Sequence, residues 1–154
     1  RPLILALLIR AAGPNAAALV RRTTNGRMVG WRSLHTASRA GHTECVRLLL
    51  SAGAGLDIDL LNLQNQTALD CAIRYGPRNG RRRVFPLLLA AGATIPSETT
   101  NPYLRKVAAA GGFKAYEKAH RQALATKFAA KAFPRLPTDV AAQVVAFAFH
   151  VGYY

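Results

Sequence analysis

Apolar residues in this chain are grouped in short blocks closed by glycine. Leu34, Ala37 and Ala40 place small side chains on one helical face, a spacing that predicts a short helix packed closely on its neighbours. Gly41 ends it with a turn, where a residue lacking Cβ takes positive φ without strain. Thr43 is expected to cap the next helix through its hydroxyl. In that second helix Cys45, Val46, Leu48, Leu49 and Leu50 cover more than one face, so it is expected to be buried on several sides, and Gly53 closes the unit. A helix pair this small cannot bury its own apolar faces. It has to be one unit of a stack, and a stack is a surface suited to binding before catalysis.

The same arrangement returns downstream. Thr67, Leu69 and Ala72 echo Ser33, Leu34 and Ala37, Gly76 echoes Gly41, and LLLAAGA (87–93) echoes LLLSAGA (48–54). Leu34 to Leu69 is 35 residues and Gly53 to Gly92 is 39. A weaker third echo, ALLIRAAG, places Gly13 forty residues before Gly53. Similarity at a fixed period implies a solenoid. The apolar run Leu3 to Ile9 is expected to supply a buried helix of the first repeat, being far short of the roughly 20 residues that span a bilayer.

Gly30, Leu34, His35, Ala37, Gly41, His42, Val46, Leu49, Leu50, Gly53 and Ala54 together resemble the ankyrin-repeat pattern. Arg32 and Ser33 stand where that pattern has threonine and proline. The second copy keeps Thr67, Leu69, Ala72, Gly76, Leu88, Leu89, Gly92 and Ala93, with Ala68 at the proline, Asp70 and Pro77 at the two histidines and Phe85 at the valine. The resemblance implies an all-α ankyrin-repeat solenoid of about two to three repeats with a helical C-terminal cap. Residues 1–96 form the repeat region (partial repeat 1–29, repeats 30–64 and 65–96), and 97–154 a degenerate repeat and helical extension. Members of this family mostly bind proteins, and its pattern supplies no catalytic residue. His35 and His42 fall on its scaffold positions, where imidazole bonds to neighbouring backbone.

Two inserts depart from the pattern, and both carry arginine. PRNGRRRV follows Gly76 where HTEC follows Gly41, four residues longer, and Pro77, Asn79 and Gly80 predict a loop. A longer connector with a second Asn-Gly turn separates Gly13 from Gly30. Arg21, Arg22 and Arg27 lie in one insert and Arg78, Arg81, Arg82 and Arg83 in the other, marking candidate contacts with an acidic protein or with phosphate.

The C-terminal third begins with the turn-rich TIPSETTNP (94–102). Helices are expected at 103–110, ending at Gly111–Gly112, and at 113–132. In the second, Phe113, Tyr116, Ala119, Leu124 and Phe128 are expected inward and Lys114, Lys118, Arg121 and Lys127 outward. After FPRLPT (133–138) a last apolar helix is expected over 139–149. LPTDVAAQVVAFAF resembles the opening of an F-box-like segment, which implies an alternative as a ubiquitin-ligase adaptor beside a helix that seals the stack. Leu136, Pro137, Phe147, Phe149, Tyr153 and Tyr154 are the docking candidates there.

Twenty-one basic residues against seven acidic ones give a net charge of +14. So much charge resists compaction unless something neutralises it, which suggests a basic structural subunit of a larger assembly. The partners expected are other proteins with acidic surfaces. The alternative is an accessory RNA-contacting subunit of a ribonucleoprotein such as an organellar ribosome, touching phosphate backbone without reading sequence. No enzyme constellation is present: no histidines or cysteines have metal-ligand spacing, Gly111–Gly112 lacks the rest of a phosphate loop, and no serine has a base. No cofactor, metal or membrane insertion is expected. Asp57 and Asp59 are expected to cap a turn or pair with Arg32 or Arg47. Cys45 and Cys71 read as buried thiols in a reducing compartment, placing the protein inside the cell, in cytoplasm or an organelle.

Overall fold

The computed structural model describes residues 2–21, 32–54, 58–132, 137, 139, 140 and 143, without the side chains of 19–21, 78, 79, 81, 82, 128–130 and 132. It divides into two compact units, Arg1–Asn101 and Pro102–Tyr154. The first contains α1 (Pro2–Ala12), a 3₁₀ turn (Gly13–Asn15), α2 (Ala16–Arg21), α3 (Ser33–Ala40), α4 (Thr43–Ser51), α5 (Ala68–Tyr75) and α6 (Arg78–Ala90). Helix α3 pairs with α4 and α5 with α6, and the pairs stack in two rows: α3 on α5, and α1, α4 and α6 side by side.

Small side chains make the first row. Leu34, Ala37 and Ser38 of α3, and Ala68, Leu69, Cys71 and Ala72 of α5, are all buried. Val46 and Leu49 of α4 and Val84, Phe85, Leu88 and Leu89 of α6 complete the core. Full burial of a side chain such as Leu49, Leu69 or Leu88 is worth roughly 1.5–3 kcal/mol. The 39-residue offset that carries Gly53 to Gly92 also carries buried Val46 to buried Phe85, as the repeat pattern implied. Both glycines sit at positive φ, +98° and +97°.

The arginine-bearing insert is helix, not loop. Four additional residues are about one turn of α-helix, so α6 starts one turn earlier than α4 and keeps its buried face in phase. Gly80 lies inside it for a tertiary reason: a Cβ there would sit 2.8 Å from the Cα of Gly41 in the preceding repeat. Gly76 does not copy the left-handed cap of Gly41. Its φ of −63° and ψ of 142° are extended, the conformation a following proline imposes, whereas Gly41 has φ 71°. In the upstream connector, residues 16–21 are helical and 22–31 lie outside the described residues.

Thr43 does not cap α4: His42 holds that position without a side-chain cap, and Thr43 has already turned into the helix. The run Leu3 to Ile9 forms α1 as expected, yet none of its residues is buried. One side, with Leu5, Ala6 and Ile9 half-buried, carries its packing on α2 and α4.

In the second unit α7 (Pro102–Ala109) and α8 (Phe113–Ala132) are joined by Gly111 and Gly112, both at positive φ. Tyr103 meets Tyr116 edge to face at 5.5 Å between centroids. On α8 the helical phase differs from expectation. Ala119 and Leu124 are exposed, Arg121 is half-buried beside Glu117, and Ala125 is the buried position. Phe128's side chain is outside the described residues. In the first unit Asp59 ties the turn after α6 to the loop before α5, accepting from the backbone N–H and hydroxyl of Thr94 at 3.0 and 2.6 Å.

Replacing Gly80 by alanine sets helix propensity, which favours alanine by about 1 kcal/mol, against a backbone clash with Gly41. The clash is expected to win by about 1–3 kcal/mol, lowering the melting temperature in a circular dichroism melt. An unchanged or higher value would show that the contact is slack.

Candidate interaction surface

Between α4 and α5 the chain forms a loop whose polarity is inverted. Asn62 and Gln66 are buried, while Leu60, Leu61 and Leu63 are 38, 53 and 70% exposed. Hydrogen bonds explain the inversion. The Asn62 carboxamide oxygen accepts from the N–H of Gln64 at 2.9 Å and of Gln66 at 3.0 Å. Asn62 N–H donates to the Gln66 carbonyl, and Asn65, at φ 55°, donates to the Asn62 carbonyl. Asparagine tolerates that left-handed conformation better than most residues. An amide folded under its own turn satisfies backbone that would otherwise be orphaned, and the leucines are left outside.

His35 anchors this loop to α3. Its Nδ1 accepts from Arg32 N–H at 3.2 Å, and its Nε2 lies 3.0 Å from the Leu60 carbonyl. The two contacts together select the neutral tautomer protonated on Nε2, which donates to Leu60. Burial, the largest influence, holds the pKa of His35 below 6.5 despite the carbonyls of Leu60 and Gln66. In the next repeat Asp70 takes over the first of these bonds. Its carboxylate accepts from Thr67 N–H at 2.9 Å while the Thr67 hydroxyl accepts from Asp70 N–H at 3.1 Å, a reciprocal cap. His42, the second scaffold histidine, is exposed and caps nothing.

The same loop contributes Gln64, Asn65 and Gln66 to the lining of an open groove of about 380 Å³, together with Pro96, Glu98, Thr99 and Thr100. Asp70, Ile73 and Arg74 of α5 complete its lining. Nearby, the guanidinium of Arg39 lies 5.0 Å from the ring centre of Tyr75, linking α3 to α5 across exposed surface. Cys71 beneath the loop is buried, and that burial pushes its thiol up to about 11, so it stays protonated. Cys45 is only half-buried. Asp59 bonds to Thr94 and Arg47 to Glu44, in place of the pairing expected between them; Asp57 lies outside the described residues.

The arginine candidates are distributed differently from the expectation of two loops. Arg78, Arg81, Arg82 and Arg83 belong to α6, where Arg83 is exposed. Arg21 ends α2, and Arg22 and Arg27 lie outside the described residues. Of the C-terminal candidates Pro137 is exposed; Leu136, Phe147, Phe149, Tyr153 and Tyr154 lie outside the described residues, as does most of the helix expected over 139–149. The leucine loop was not among the sequence candidates. Its signal was available as leucines embedded between turn-forming Asp59 and the amides of 62–66.

Among the described residues no three His, Cys, Asp or Glu side chains cluster to hold a metal, and no helix is long and apolar enough to cross a membrane. A family model for ankyrin repeats, in three copies, matches residues 3–99. No curated protein and no solved structure matches.

The depressed pKa of His35 has a defined consequence. The unfolded chain takes up a proton near pH 6.5 while the folded one resists it, so the contribution of His35 is complete above 6.5 and is lost as pH falls toward the folded value. Urea midpoints are expected to drop between about pH 7.5 and about pH 5, and His35→Gln to flatten that dependence. A His35→Gln profile parallel to the parent would remove His35 as the cause.

Proposed function

The chain belongs to the ankyrin-repeat family, and from that premise we propose a non-catalytic scaffold that binds a protein partner through the leucine loop and adjoining groove. Ankyrin repeats are protein-interaction modules. The observation that carries the assignment to this loop is its inverted polarity. Three leucines exposed on a hydrogen-bonded turn need no ordering before they dock, so little conformational entropy is lost on binding. A net charge of +14 favours an acidic partner and a place as a basic subunit in a larger assembly. Free, buried Cys71 supports a reducing, intracellular compartment.

A second reading, contact with RNA phosphate, draws on α6. Arg78 and the run Arg81–Arg83 lie in its first turns with no acidic residue there. Positive charge at the positive end of a helix dipole costs stability, which an anionic partner would recover.

The two readings separate experimentally. Leu61→Asp together with Leu63→Asp is expected to abolish native co-purification of the protein partner while shifting folding stability by less than about 0.5 kcal/mol per site. Arg81, Arg82 and Arg83→Glu should leave that partner bound. Retention of the partner by the leucine variant, with nuclease-sensitive loss in the arginine variant, would replace the protein reading by the RNA one.

A further inference from the structure

The second-row helices can be aligned through their closing glycines, Gly13, Gly53 and Gly92. The outward positions of α4 hold Glu44 and Arg47, an exposed ion pair. In α6 the equivalent of Glu44 is exposed Arg83. In α1 the same two positions are Ile4 and Leu7, 55 and 66% exposed, flanked by exposed Leu3 and Leu8. Another helix stacked on the end of the row would cover Leu8, whose equivalent Leu48 is half-buried. It would leave Ile4 and Leu7 bare, since their equivalents on α4 face water even with helices packed on both sides.

We infer that α1 is a peripheral lipid anchor, its stripe Leu3, Ile4, Leu7 and Leu8 seated in the interfacial layer of an anionic membrane surface. Charge complementarity selects that occupant. The chain carries +14, and exposed Arg10 and Arg83 lie on the same row, Arg83 two helix spacings of about 10 Å from the stripe. A second copy would bring two +14 charges together over four aliphatic side chains, far less than the roughly 800 Å² per partner that stable interfaces bury. A protein partner needs anchors that fix its register, usually Trp, Tyr or Arg in a pocket. In α1 there is no aromatic residue, and Arg10 is the single polar side chain. A fluid acyl layer needs no register. An 11-residue helix lies in the interface and does not span it.

The test is co-sedimentation of the full chain with vesicles of phosphatidylcholine alone or mixed with phosphatidylglycerol. The double variant Ile4→Glu, Leu7→Arg transplants the outer pair of α4 onto α1 and leaves net charge unchanged. The parent is expected to bind the anionic vesicles, and the double variant at least about tenfold more weakly at an equal melting temperature. Leu7→Gln should give an intermediate loss and serves if the double variant melts early. Equal binding by parent and variants would reduce the effect to charge adsorption and overturn the anchor. Failure of the parent to bind anionic vesicles at low salt would overturn it too, and self-association abolished by the same variants would then assign the stripe to a second copy.

Discussion

Close packing of α3 on α5 is the constraint on which the rest of this molecule depends. Neither helix is long, and neither repeat has a core of its own. Where α3 and α5 pack, Ala37 and Ser38 on one helix and Ala68, Cys71 and Ala72 on the other are buried beside Leu34 and Leu69. Short side chains let the helices pack closely, which positions the loops that follow them. The same economy appears at the other end of the helices, where Gly41 and Gly80 touch because neither has a Cβ.

That packing gives the leucine loop its form. His35 of α3 reaches Leu60 because helix and loop are held at hydrogen-bond distance. Asp59 does the same for the next loop through Thr94. Each bond is modest by itself, about 0.5–1.5 kcal/mol net. Their joint effect is to fix polar groups inward, where they are satisfied, so that apolar side chains become the exposed ones. The proposed binding surface is thus a consequence of satisfying backbone.

Much of the fold could be read from residue order. Gly53 and Gly92 marked the helix ends, Phe85 filled the valine position, and α8 occupies the span 113–132 that its pattern indicated. What escaped had non-local causes. Asn79–Gly80 reads as a turn in isolation, but its glycine answers a neighbour thirty-nine residues away. The exposure of Leu60, Leu61 and Leu63 follows from the bonds to His35 and within the Asn62 turn, which residue order does not display. The leucines of α1 read as buried because hydrophobicity alone does not say which side of a helix has a neighbour. Charge told of an anionic partner without saying where it sits.

The proposed binding surface requires the loop at 58–67 to be ordered before any partner arrives. Amide hydrogen exchange on the free protein measures this directly. Gln64 and Gln66, bonded to the Asn62 side chain, and Asn65, bonded to the Asn62 carbonyl, are predicted to exchange at least about a hundredfold more slowly than in an unstructured peptide. Asn62→Ala is predicted to release the Gln64 and Gln66 amides. Exchange of these three amides at the free-peptide rate in the parent would contradict a preformed surface, since the leucines would then be presented by a loop that orders only on binding.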